Sequence, residues 1–199
     1  MSPAHVLEPT YDALRRRLIA GDWPVGHRLE AARLAEQLGV SATPVRDALW
    51  RLAGERLVES TPGDGFRVPR LDAGDLRTIF AWHHRLMTMA IRWRGGPFPA
   101  TDIPQGRDGI AERTALLFGA IAATAHNSEL MRAVSQAAAR LTPYRQIEND
   151  VFPDVERELG AIETLAGGAS RSVLLEAIGA YHARRKASAD RLAELAKSG

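Results

Sequence analysis

Apolar positions recur at helical spacing over the first fifty residues, switch to strand-like alternation for about a dozen, then return to helical spacing. Over 10–20, Tyr11, Leu14, Leu18 and Ile19 stand at i, i+3, i+7 and i+8, which predicts an amphipathic helix with Thr10 as N-cap and Gly21 as stop. The following DWPVGHRL (22–29) carries the Pro and Gly of a loop. A second helix is predicted over roughly 30–38, with Leu34, Ala35 and Leu38 inward and Gly39 ending it. In GVSATPVRDALWRL (39–52), Ser41 or Thr43 caps a third helix and Pro44 falls in its first turn. A missing N–H costs nothing there, because first-turn N–H groups have no partner within the helix. Val45, Ala48, Leu49 and Leu52 form the inward face, leaving Ala42, Thr43, Arg46, Asp47, Trp50 and Arg51 outside.

Leu57–Ser60 and Phe66–Val68 alternate as two strands around Pro62, Gly63, Asp64 and Gly65. Three short helices followed by a hairpin predict a winged helix-turn-helix. Beyond Asp72 the pattern is helical, with helices expected over 73–94, 110–126, 128–141, 153–166 and 171–196. The stretch 95–109 is too rich in Gly and Pro for a helix, and 142–156 reads as irregular. The fold class is therefore mainly α: a winged helix-turn-helix over 1–71, then an all-α helical bundle over 72–199.

Composition narrows the function classes. The chain has 199 residues, 45% of them hydrophobic and 25% charged, as in ordinary globular proteins. No apolar run reaches the length of a membrane span, and the first residues lack the order of a secretory signal, so the cytoplasm is the expected location. Cysteine is absent, which excludes disulfides, thiolate metal ligands and a cysteine nucleophile. The net charge is only +2, but the basic residues are arginine except for Lys186 and Lys197. That bias fits a GC-rich genome as well as phosphate recognition, so only the placement of particular arginines is informative. None of the nucleophile-elbow, phosphate-loop or HExxH patterns occurs, and an enzyme is not expected.

In a helix-turn-helix the second helix presents its N-terminal residues to base edges. Arg46 is suited to bidentate contact with guanine, and Ser41 and Thr43 to phosphate or a thymine methyl. Arg51 shares the outward side, Gly65 at the wing tip permits close approach to the DNA backbone, and Arg67 adds charge there. The pattern alone also fits a winged helix used for protein interaction.

The stretch Tyr11–Val68 resembles the DNA-binding domain of the GntR family of bacterial regulators, through DWPVGHRL, LAEQLGVS, TPVRDAL, RLVES and GFRV in order. The resemblance implies a homodimer binding double-stranded DNA at an inverted repeat, each recognition helix in a major groove. Three departures stand out. Ala42 replaces a usual Arg, Asp64 occupies a wing tip where a basic residue is common, and Arg56 replaces a Gly. Trp50 is unusual on its face and is expected to pack under the wing.

An all-helical domain after such a winged helix resembles the effector-binding (FCD) domain of the FadR-like subfamily. That resemblance implies a small-molecule effector, such as an organic acid, and a divalent metal held by one Asp and three His. With Asn127 as anchor, the ligand positions fall at Thr114, Phe118, near Gly160 and at His182. Only His182 matches, so no metal or other cofactor is expected in the usual place. His83 falls near a pocket Arg of the relatives. Of the adjacent His83 and His84, about 100° apart on a helix, only one can face inward. His83, His126, Tyr144, Arg145 and His182 are the candidate effector-pocket residues, with plain interhelical contact as the alternative. Loss of the metal ligands leaves open a DNA-binding protein whose sensor has degenerated.

Overall fold

The computed structural model describes residues 3–61, 63–93, 109–168 and 170–198, and the chain divides into two compact units, residues 1–70 and 71–198. The first begins with α1 (Pro3–Ala20), β1 (Arg28–Leu29), α2 (Ala31–Leu38) and α3 (Ala42–Gly54). It is completed by β2 (Glu59–Thr61) and β3 (Gly65–Arg67). Both α1 and α2 pack on α3, whose Val45, Ala48, Leu49 and Leu52 are fully buried. The inward set read from the spacing is the set that forms the core. Gly39 at φ 65° closes α2 in the left-handed conformation, its N–H donating to the carbonyls of Ala35 and Glu36, and Ser41 then opens α3 from an extended backbone.

Three details differ from the periodicity. Thr10 is no cap: α1 starts at Pro3 and continues through Pro9, giving up one backbone bond, while the buried Thr10 hydroxyl donates to the Val6 carbonyl at 2.7 Å. The hairpin strands lie at 59–61 and 65–67, because Leu57 and Val58 are held by hydrogen bonds to the Leu52 carbonyl and serve the core. Arg28–Leu29, read as loop, pairs antiparallel with β3 and gives a sheet of order β1-β3-β2. A two-residue strand is too short to have a period.

The second unit contains α4 (Ala73–Arg92), α5 (Ile110–Ala123), α6 (Ser128–Arg145) and α7 (Glu148–Val151). It ends with α8 (Val155–Ala166), α9 (Arg171–Ala187) and α10 (Ala189–Ser198). Asp72 and Asp75 start α4 with a reciprocal capping box, and α4 then packs against α5, α6, α9 and α10. The helix placed over 171–196 is broken at Ser188, and α6 runs past its expected end at 141, through Pro143, to Arg145. The Gly/Pro-rich break lies, apart from Gly109, outside the described residues. Among the described residues no helix is long and apolar enough to cross a membrane.

Candidate functional site

The outward face of α3 follows from its core. With Val45, Ala48, Leu49 and Leu52 inside, Ser41, Thr43, Arg46, Asp47 and Trp50 are exposed. Ser41 is the N-cap residue, yet its hydroxyl makes no capping bond, so the oxygen and the first-turn N–H groups both face outward. Among the described residues Arg46 forms no ion pair. Trp50 is 59% exposed and meets Phe66 of β3 edge to face, with ring centroids 5.1 Å apart. It touches the wing with one edge and presents the rest of its indole to solvent.

Arg51 and Arg67 have other commitments. Arg51 stacks its guanidinium 3.9 Å above the Tyr11 ring and pairs with Glu8 at 2.7 Å and Glu55 at 4.0 Å. Its charge is drawn toward α1, away from the exposed groups at the start of α3. The Tyr11 hydroxyl donates to Glu55 at 2.6 Å, and burial, then that bond, push its pKa up to about 12. Arg67 pairs with Asp64, so the acid that stands at the wing tip cancels the wing's own arginine. Gly65 takes φ 80°, a turn conformation open to glycine and strained for other residues.

The five pocket candidates separate in the second unit. His126 is exposed in the turn after α5, at φ 49°, and does not join the others. Tyr144 is buried, but its hydroxyl accepts the Leu71 N–H at 2.7 Å at the head of this unit. Burial, ahead of other influences, raises its pKa. His83 from α4, Arg145 from α6 and His182 from α9 meet around Phe118 of α5, and all four are fully buried. The His83 and His182 rings lie 5.3 and 5.7 Å from the Phe118 ring, and the Arg145 guanidinium 5.5 Å from it.

Sequence reasoning left three members of this cluster out of the candidate pocket: Phe118, Tyr181 and His84. Tyr181 sits edge-on to Phe118 at 5.0 Å and is fully buried. His84 also takes part, stacking on His182 at 5.2 Å from a half-buried position, so the expectation that just one of the adjacent pair faces inward is corrected. Phe118 and Tyr181 stand at ordinary core spacing, and nothing but their aromaticity marks them.

Hydrogen bonding fixes the tautomers. His182 Nδ1 lies 2.7 Å from the Ile178 carbonyl, which can only accept, so Nδ1 carries the proton. His182 Nε2 then accepts from His83 Nδ1 at 2.8 Å. His83 Nε2 is left as a lone-pair acceptor, buried and without a partner. Burial, reinforced by the Arg145 charge, holds both imidazoles well below the usual histidine pKa and hence neutral. The Tyr181 hydroxyl and all three guanidinium nitrogens of Arg145 are likewise buried without a hydrogen-bond partner.

Comparison with known proteins follows this division. Residues 8–68 match the family "Bacterial regulatory proteins, gntR family". The chain is similar to the HTH-type transcriptional regulator McbR of Escherichia coli (strain K12), 38% identical over 78 residues. The matched stretch spans 39% of this chain and 35% of that curated protein. The solved structure of E. coli McbR/YncC superposes with a TM-score of 0.72 at 19% identity, covering 96% of this chain and 98% of that one. A GntR transcriptional regulator from Rhodococcus sp. RHA1 superposes with a TM-score of 0.75 at 15% identity, over 92% and 96% of the two chains. Those two superpositions extend the shared fold over the helical unit, whereas the family match covers residues 8–68. Residues 8–68, the stretch that matches the gntR family of bacterial regulatory proteins, therefore form a winged helix-turn-helix domain similar to those of that family.

Proposed function

We propose that the protein is a transcription regulator that binds an inverted-repeat operator as a homodimer and responds to a small organic acid in its helical unit. The observation that carries the DNA-binding part is the state of Arg46. It stands exposed near the start of α3, without an internal ion pair among the described residues, next to unbonded first-turn N–H groups and the Ser41 and Thr43 hydroxyls. A guanidinium there reads guanine by two parallel hydrogen bonds, and the helix start takes a phosphate. With Arg51 and Arg67 internally paired and Ala42 in place of a basic residue, three positions that could serve the phosphates do not do so freely. Affinity is then modest, with a shallow dependence on salt.

The buried cluster favours a working sensor over a degenerate one, because burying a charge and two polar groups without partners is costly unless a ligand supplies them. Tyr144, beside Arg145 on α6, grips the Leu71 backbone where the helical unit begins. A displacement of α6 at Arg145 would thus reach the residue at which this unit starts.

The test is fluorescence anisotropy on an operator selected from random DNA. Arg46→Ala is expected to cost about 1–3 kcal/mol of specific binding and to relax preference at one base step. Unchanged specificity in that variant would show that another residue reads the operator.

A further inference from the structure

The donor set in the helical unit does not fit the metal that the resemblance to the FadR-like subfamily implies. Thr114 donates its hydroxyl to the Ile110 carbonyl at 2.6 Å, and Phe118 offers no donor. His182, the one matching ligand, uses both ring nitrogens, on Ile178 and on His83. Among the described residues no group of three or more His, Asp or Glu side chains could hold an ion. Instead the centre holds a positive charge of its own, the guanidinium of Arg145.

We propose that Arg145 is a metal-free receptor for a small monocarboxylate, bound at the Phe118 hub, with Tyr181 and His83 as the accompanying hydrogen-bonding groups. This rests on the reading of the helical unit as a sensor and names what holds its ligand. The first argument is charge. Among the described residues the unit contains two fully buried arginines, and the second, Arg185, is neutralised by Glu148 at 2.8 Å and Glu158 at 2.5 Å. Among the described residues Arg145 has neither a carboxylate nor any hydrogen-bond acceptor, and what surrounds it is the Phe118 face at 5.5 Å and the neutral His83 and His182, whose protonation its charge opposes. A planar carboxylate matches a guanidinium through two parallel bonds and brings the single negative charge that is missing.

The second argument is the complement of polar atoms. The ring-to-ring chain Ile178–His182–His83 leaves His83 Nε2 as an acceptor, and the Tyr181 hydroxyl can give or take a proton. A ligand that offers a donor near its carboxylate, such as a hydroxyl, satisfies both sites. The aromatic faces of Phe118 and Tyr181 suit an apolar body. A cation is disfavoured by the same centre, because it would meet an unneutralised guanidinium and imidazoles whose inward lone pair is already taken or single.

The experiment uses the full chain, stripped with EDTA, and reads thermal melting and titration calorimetry. The probes are sodium acetate, phenylacetate, mandelate, the neutral 2-phenylacetamide, inorganic phosphate and zinc chloride. At least one carboxylate is expected to raise the melting temperature by several degrees at saturation, in EDTA as well as without it. The amide, phosphate and zinc are expected to leave it unmoved, and mandelate to bind about tenfold tighter than phenylacetate.

Arg145→Met should abolish the carboxylate shift while melting at or above the temperature of the unliganded wild type, since it removes a buried charge that has no partner. Arg145→Lys should keep a response weakened about tenfold, because a point charge replaces the fork. The proposal is overturned by a shift from zinc, by a carboxylate shift that EDTA removes, by no carboxylate shift at tens of millimolar, or by Arg145→Met melting well below wild type. DNA release is measured separately on the operator. A carboxylate that binds through Arg145 without releasing DNA sinks the regulatory reading and leaves this one standing. A metabolite that releases DNA equally from Arg145→Met does the reverse.

Discussion

Arg145 and Arg185 lie in the same helical unit, are equally buried, and live under opposite conditions. Arg185 is enclosed by Glu148 and Glu158 and stacks 3.4 Å over Tyr181, so its charge is spent within the fold. Burial opposes that charge, yet Tyr181 and the two carboxylates prevail and raise its pKa above the ordinary arginine value. Arg145 shares the cluster and has no acid. The same division appears in the winged unit, where Arg51 and Arg67 are paired internally and Arg46 forms no ion pair among the described residues. In both units the paired arginines belong to the structure, and the open ones, Arg46 and Arg145, are those to which we assign an outside partner.

The strongest way to break this contrast is to remove the acid from the paired side. Glu148→Gln should destabilise the helical unit by about 3–5 kcal/mol in urea denaturation, since it strands a buried guanidinium beside a single remaining partner. A loss below about 1 kcal/mol would mean that the pair is not the structural half of the comparison.

A second measurement sharpens the open side. His83 and His182 are held neutral by burial and by the Arg145 charge, so their folded pKa values lie below the unfolded value of 6.5. The unfolded chain therefore binds more protons below about pH 6.5, and stability is full above that pH and falls as the solution is acidified. The slope approaches about 1.4 kcal/mol per pH unit for each histidine. Urea midpoints between pH 8 and pH 5 check it, and a flat profile would place these imidazoles in a far more solvated setting.

Smaller effects test the winged unit. Arg56 adopts φ 59°, the left-handed conformation that favours glycine. Arg56→Gly should stabilise by about 1 kcal/mol, because glycine accepts this conformation without a Cβ penalty. A loss of operator affinity in the same variant would instead reveal a phosphate contact. The smallest effect is expected from Asp64→Asn, which frees Arg67 at the wing. The slope of log affinity against log salt should steepen by about one unit, with little change in folding stability.

How much of this was legible in sequence depends on whether a segment has a period of its own. The buried face of α3 could be read directly, because thirteen residues with four apolar positions at 3.6 spacing admit one arrangement. The start of α1 could not, since Pro9 argues locally for a break and only packing against α3 carries the helix across it. Pro143 misled in the same way at the end of α6, and the break at Ser188 has neither Gly nor Pro to announce it. The exposed residues proposed to meet DNA, Ser41, Thr43 and Arg46, sit at the start of one continuous helix, so spacing suffices to place them on a common side. The inner cluster draws His83, Phe118, Arg145 and His182 from four helices, and spacing within any one of them says nothing of the meeting. His126 had the right chemistry and the wrong backbone, being turned to solvent in the link between α5 and α6.

Trp50 gives the molecule an optical property that matters in practice. Of the chain's four tryptophans, Trp23 is buried beneath the Arg17 guanidinium, Trp82 lies on α4 and Trp93 just after it in the other unit, and only Trp50 stands on the outer face of α3. Its indole is 59% exposed and touches the wing with one edge, so its emission is expected to be red-shifted in the free protein and to shift if DNA docking on α3 covers it. A change in tryptophan fluorescence that accompanies DNA docking and disappears in Trp50→Phe would let α3 engagement be followed in real time, without a label, and apart from events in the helical unit.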